Sequence, residues 1–186
     1  MKTTSIFAAV ALSFLIVSAF GAKNGPAAIG DPAAPIHVKS WVQGGPVAIK
    51  PGQVTVVEFW ATWCPPCLTS IPHINKIYKK YADKQVMVVG VGGLNEPEQA
   101  VKAFVKKMGK QMTYPVAIGD DAMIEGYMMA YGINTLPHAF VVDAEGKMAW
   151  HGSPSGEMDM MDAAIEAAIT KRDAVAAKEP EAAVAE

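Results

Sequence analysis

Three observations predict an α/β fold with one central sheet covered by helices on both faces. Apolar, β-branched runs alternate with amphipathic stretches from Val54 onward. Two strand-like runs near the end are joined by a tight turn and followed by a closing amphipathic stretch. At 186 residues the chain can build one well-cored domain and is short for two.

In chain order, Ile36–Val42 and Pro46–Ile49 are expected as short strands around Gly44 and Gly45. Val54–Ala61, "VTVVEFWA", is β-branched and aromatic, the composition of a buried strand. Pro65 to about Asp83 predicts a helix, because Ile71, Ile74, Ile77, Tyr78 and Tyr81 recur at helical spacing. Val86–Gly92 is a second buried strand. Glu96 to about Lys110 is amphipathic, with Val101, Phe104, Val105 and Met108 on one face. Tyr114–Gly119 is expected as a strand and Asp120–Tyr131 as a helix ended by Gly132. "HAFVVD" and "KMAWHG" flank Ala144-Glu145-Gly146 as a hairpin, and Met158 to about Lys171 closes the fold as a helix. Residues 36–172 therefore form the domain. Residues 22–35 are a Gly/Pro/Ala-rich lead, and residues 173–186 lack a core-facing pattern and are expected to be a disordered tail.

Residues 1–21 have the layout of a signal peptide: Lys2, an apolar run from Ile6 to Phe20, then small residues. Export with cleavage near Ala19 or Gly21 is the expectation, and an uncleaved N-terminal anchor is the alternative. The location would be a bacterial periplasm or otherwise the secretory lumen or exterior. A composition of 51% hydrophobic and 18% charged residues suits a soluble globular domain, and a net charge of -2 gives no reason to expect nucleic acid.

Export sharpens the meaning of the only two cysteines, Cys64 and Cys67. Exported chains use disulfides to staple distant segments. A pair this close closes only a tiny loop and removes little unfolded-state entropy. Chemistry is the better explanation. A strand feeding a helix puts Cys64 at the helix N-terminus, where backbone N–H groups and the dipole favour a thiolate. Cys67 lies within a turn of it and can resolve a mixed disulfide. Pro65 and Pro66 fill the first turn and bring no N–H, so only the Cys67 N–H remains to stabilise a Cys64 thiolate. A less stabilised thiolate means a lower reduction potential, and the pair is expected to reduce rather than oxidise.

"FWATWCPPC" with Pro72, together with "AYGINTLPHAFVVDAEGKMAWHG" (Ala130–Gly152), resembles the thioredoxin superfamily. The segment at about residues 95–119 is similar to the central helix–strand insertion of its TlpA/ResA-like exported branch, and the "IGDPAAPIHV" lead resembles that branch too. The resemblance spans about Ile29 to Lys171. It implies a thioredoxin-like three-layer fold with a mixed sheet, the insertion at 95–119 and an N-terminal strand extension. It also implies a thiol–disulfide oxidoreductase with a redox-active Cys64–Cys67 disulfide and no bound cofactor or metal. Cys64 would be the exposed nucleophile and Cys67 the buried resolving thiol, with Trp60 and Trp63 shaping the surface around them. Pro137 would be the cis-proline, placing Leu136 where a client strand can pair beside Cys64. Glu58, the only charge in its strand, would be the proton acceptor for Cys67; burial should raise its pKa.

The partners implied are disulfide-bearing client proteins and a dithiol electron donor, such as a membrane transporter of reducing equivalents. The protein itself is expected to be a monomer. Three positions depart from the ResA-like pattern: Ser70 where Glu is frequent, Leu68 where a basic residue is frequent, and His138 where Thr follows the cis-proline. His138 is a candidate substrate contact. Two alternatives stay open: an oxidase or isomerase of the same fold, and a non-catalytic copper or redox-binding module using Met158, Met160 and Met161. Zinc lacks a ligand set, and covalent haem attachment would need His at position 68, where Leu stands.

Overall fold

The computed structural model describes residues 26–182, so the expected signal peptide lies outside the described residues. Six strands form one mixed sheet: β1 (Val38–Gln43), β2 (Val54–Phe59), β3 (Val86–Gly92), β4 (Val116–Gly119), β5 (His138–Val142) and β6 (Met148–Gly152). Their spatial order is β1-β4-β3-β2-β5-β6. β2 lies at the centre, parallel to β3 and antiparallel to β5, and every one of its residues is buried. That explains why it is apolar apart from Thr55 and Glu58, since a strand covered on both faces has no solvent side to mark with polar residues.

Four helical elements cover the sheet: α1 (Pro65–Lys80), α2 (Glu98–Met108), α3 (Asp121–Met123), which continues as a π-helical segment over Ile124–Met129, and α4 (Met158–Ala182). Val54, Val56 and Trp60 pack with Ile71 and Ile74 of α1, Val101 and Val105 of α2, and Met161 and Ile165 of α4. On the opposite face Val57, Phe59, Val89 and Val91 pack with Met123, Tyr127 and Phe140. The chain thus reads β2-α1-β3, then the insert α2-β4, then α3-β5-β6-α4. The insert extends the sheet at the β3 edge, and β1 pairs antiparallel on β4 beyond it.

Three elements differ from expectation. Pro46–Ile49 is not a strand, although Val47 is buried. Gly44 and Gly45 have φ of +58° and +81°, the Gly45–Pro46 bond is cis, and a side chain on Gly45 would collide with the Trp41 indole at 2.3 Å. The chain turns there to let Trp41 close over it. The Asp120–Tyr131 helix is α-helical only at its start and widens to a π turn. At that turn Gly126 admits the lead: a Cβ there would sit 2.6 Å from the Ala34 methyl, and the Tyr127 hydroxyl donates to the Ala34 carbonyl (2.6 Å). Lastly, α4 runs to Ala182 rather than ending near Lys171, so most of the expected disordered tail is helical. Residues 174–179, ahead of Pro180, are alanine-rich with high intrinsic helix propensity, and they extend a helix already nucleated by packing.

Candidate active site

α1 begins where β2 ends, and Cys64 is its N-cap, with Pro65 and Pro66 in the first turn. Cys64 and Cys67 are joined by a disulfide (S–S 2.04 Å). The Cys67 N–H donates to Cys64 Sγ at 3.3 Å, and to the Cys64 carbonyl at 3.0 Å. Cys64 is 4% exposed and Cys67 fully buried. Cys64 opens on an apolar groove of about 440 Å³, walled by Trp63, Pro65, Pro66, Ile124, Met128, Ile133 and Leu136. Trp63 is 59% exposed and forms the rim. The Leu136–Pro137 bond is cis.

Trp60 does not shape the surface. It is fully buried, its ring 5.1 Å from that of Phe104 and pressed on β3. A Cβ on Gly90 or Gly92 would lie 3.0 Å from Trp60 ring atoms, so these two glycines make room for the indole.

Glu58 is fully buried. Alternation along β2 places it with Val54 and Val56 on the face that carries Cys67 and α1. Its Oε2 accepts from the Tyr114 hydroxyl at 2.9 Å. Desolvation pushes its pKa up to about 8, and the hydrogen bond from Tyr114 holds it from rising further. The Tyr114 phenol is pushed well above its usual value, by burial first and then by the neighbouring Glu58 charge. The residues before β4 are pinned to present that hydroxyl. Gln43 of β1 donates from Nε2 to the Met112 and Tyr114 carbonyls, both at 2.7 Å. Asn75 of α1 accepts from the Thr113 N–H (2.8 Å) and donates to the Lys110 carbonyl (2.9 Å). Behind Trp63, the Thr62 N–H and hydroxyl both donate to the Glu96 carboxylate, which ties the cysteine loop to the loop after β3.

His138 is not among the residues lining the groove. It is buried on the opposite face of the sheet beside Phe140, and its Nε2 is 3.1 Å from His151 Nδ1. Burial, reinforced by the His151 charge, pushes His138 down to about 4, and burial lowers His151 as well. Both folded-state values lie below the unfolded value of 6.5, so the unfolded chain takes up protons first as pH falls. The pair's stabilising contribution is complete above pH 6.5 and is lost as pH falls from there toward 4. After allowance for solvent screening, the expected loss is about 1–2 kcal/mol. Urea denaturation of wild type and His138→Gln across pH 4–7 measures it, and a slope unchanged by the substitution contradicts it. Among the methionines of α4, Met161 is buried in the core while Met160 is 58% exposed, so they do not share one surface.

Cys64, Cys67, Glu58 and the groove residues Trp63 and Leu136 are marked by local sequence pattern, whereas Tyr114, Asn75, Gln43 and Glu96 are not. The one available signal was a set of polar residues in otherwise apolar runs. Their pairing is long-range and invisible to local periodicity.

A strand–Cys-Pro-Pro-Cys–helix unit, with its dithiol pair oxidised beside an apolar groove on a thioredoxin-like sheet, defines a thiol–disulfide exchange protein. The redoxin family model matches residues 44–169, and the chain belongs to that family as a thiol–disulfide oxidoreductase. It is 34% identical over 140 residues to the thiol-disulfide oxidoreductase ResA of Bacillus thuringiensis (strain Al Hakam), covering 74% of this chain and 77% of that one. Against ResA of Geobacillus thermodenitrificans (strain NG80-2) the identity is 30%, over 74% of this chain and 76% of the relative. A thiol:disulfide interchange protein of Chlorobium tepidum TLS superposes with a TM-score of 0.61 at 28% identity, covering 77% of this chain and 99% of that one.

Proposed function

We propose that this protein reduces disulfide bonds in client proteins outside the cytosol. The observation that carries the direction is the solvation of Cys64 Sγ, which accepts from the Cys67 N–H while Pro65 and Pro66 offer none. Fewer donors leave a Cys64 thiolate less stabilised, which disfavours the dithiol state and lowers the potential.

In this reading a client segment lies in the groove against Leu136 and Trp63, with its backbone paired beside the cis-proline Pro137. The Cys64 thiolate attacks one sulfur of the client disulfide, the client's S–S bond breaks, and the first client thiolate leaves. Cys67 then gives its proton to Glu58 and attacks Cys64 Sγ. The mixed disulfide breaks, the second client thiolate departs, and Cys64–Cys67 closes. An external dithiol reverses that last bond to restore the reductant. The carboxyl of Glu58, with its pKa near 8, suits this exchange because it can hold or release the proton near neutral pH. A membrane transporter of reducing equivalents fits as the donor, since the apolar run of the first 21 residues points to export. Among the described residues, no helix is long and apolar enough to cross a membrane.

The redox equilibrium of the pair against glutathione tests the direction. The expected potential lies nearer about −270 mV than the about −120 mV of strong oxidants. A value at the oxidising end overturns the proposal in favour of an oxidase.

A further inference from the structure

The groove beside Cys64 is chemically one-sided. Cys64 lines it, so the client sulfur that Cys64 attacks must sit inside it. Among the described residues that line it none is charged, and its walls are Trp63, Leu94, Ile124, Met128, Ile133 and Leu136 together with the two prolines. Leu94, Ile124, Ile133 and Leu136 are half-buried, and they lend uncovered apolar surface to this space. A charged client side chain placed there would lose its water and gain no ionic partner. An apolar one would bury its surface against aliphatic neighbours. The wall is also braced from behind. Ile124 and Met128 belong to the π-helical segment, against which the N-terminal lead is strapped. The Tyr127 hydroxyl donates to the Ala34 carbonyl at 2.6 Å, and the Ala27 N–H to the Ala130 carbonyl at 2.9 Å. The Ile133 N–H donates to the Met128 carbonyl at 2.8 Å, which holds Ile133 next to Met128. A wall held in this way discriminates between side chains, where a yielding one would repack around any of them.

We propose that this groove is a specificity pocket for one aliphatic or aromatic side chain, two residues from the client's reacting cysteine. The inference rests on the reductase reading above, in which an extended client segment pairs beside Leu136 and Pro137. In an extended segment successive side chains point to opposite faces, so residues two apart share a face. The client cysteine must face Cys64. Its immediate neighbours then point away from the groove, and the residues two positions off lie about 7 Å along it. At about 440 Å³ the groove has the size of a small-ligand pocket, with room for a short segment and its anchoring side chain. The substrates it favours are therefore disulfides in extended segments with Leu, Ile, Met or Phe at that spacing, and those with Lys, Arg, Asp or Glu there are discriminated against.

Single-turnover reduction of symmetrical peptide disulfides by the reduced protein tests the pocket. Each peptide carries one cysteine in a Gly/Ser/Ala background, with Leu, Phe, Ala, Lys or Glu placed one or two residues from it on either side. The rate of each peptide with dithiothreitol corrects for its intrinsic reactivity. Leu or Phe two residues from the cysteine, on at least one side, is expected to react faster than Ala there by about tenfold or more. Lys or Glu at that position is expected to react no faster than Ala. Ile133→Glu is expected to favour the Lys peptide over the Glu peptide, and Ile133→Lys the reverse. Equal corrected rates for all residues at the two-residue spacing overturn the pocket, and a larger effect at the adjacent positions overturns its register. A wild-type preference for Lys or Glu overturns its apolar character, and an order unchanged in both Ile133 variants overturns the groove as its seat. If those variants do not fold, the wild-type series decides alone. A rate constant that falls as protein concentration rises puts a second copy of the chain in the groove and overturns the proposal. If wild type reduces none of the peptides faster than Cys64→Ser does, the reductase reading fails and the pocket with it. If it reduces all of them at one common rate, only the pocket fails.

Discussion

Cys64→Ser is expected to lower insulin disulfide reduction by about 10^3-fold or more, to the background of the assay. A serine hydroxyl at the α1 N-cap keeps the cap, because its oxygen can accept from the Cys67 N–H as Sγ does. The fold should therefore survive, and the loss reports chemistry alone. An alkoxide is not accessible near neutral pH, and the helix terminus that stabilises a thiolate cannot close that gap. Cys67→Ser behaves differently: attack by Cys64 proceeds, and the reaction stops at the mixed disulfide, which traps client proteins for identification. Retention of substantial activity in Cys64→Ser would mean that the disulfide is not the reacting group.

Glu58→Gln should change stability and rate in opposite directions. The amide is nearly isosteric and can keep the Tyr114 hydrogen bond through its oxygen, but it cannot take a proton. Resolution by Cys67 is expected to slow by about 10–100-fold, with attack by Cys64 little changed. Stability follows from linkage. The folded pKa of Glu58, about 8, lies above its ordinary value of 4.5, so folded protein holds the proton over a range where unfolded protein has released it. The favourable contribution is whole below pH 4.5 and is lost as pH rises through 8. At pH 8 and above the oxidised Gln variant is expected to exceed wild type by about 2–3 kcal/mol in urea denaturation. The histidine pair acts with the opposite sign from about pH 4 to 6.5, so the two slopes offset each other at mildly acid pH. Above pH 6.5 the Glu58 slope stands alone, and that is the range in which to measure it.

What could be read from the sequence was whatever local pattern encodes. Val86–Gly92 is both the expected and the observed strand, because a β-branched run ending in glycine has few other ways to be buried. The start of α1 at Pro65 was equally legible, since two prolines after an N-capping side chain permit little else. Elements set by distant contacts were not. The π turn at Ile124–Met129 exists where Gly126 meets Ala34, and Pro46–Ile49 leaves the sheet where Trp41 covers Gly45. The far end of α4 was missed for the converse reason, being helical through propensity without an apolar stripe. In the site, the cysteines and the lone carboxyl in β2 announced themselves by type and spacing. The donor to that carboxyl comes from Tyr114, 56 positions away in the chain, and nothing local to either residue connects them.

The origin of that donor limits how far this site can be transplanted. Tyr114 enters through the α2–β4 insert, and its loop is braced by Asn75 and Gln43. A minimal core of the same topology, given the β2 strand and the Cys-Pro-Pro-Cys turn but not the insert, would receive a buried acid stripped of its phenol. Its carboxyl would ionise later still, and the graft would exchange disulfides with a different pH optimum from its parent. The insert and the acid are therefore one module for protein engineering, to be moved together or not at all.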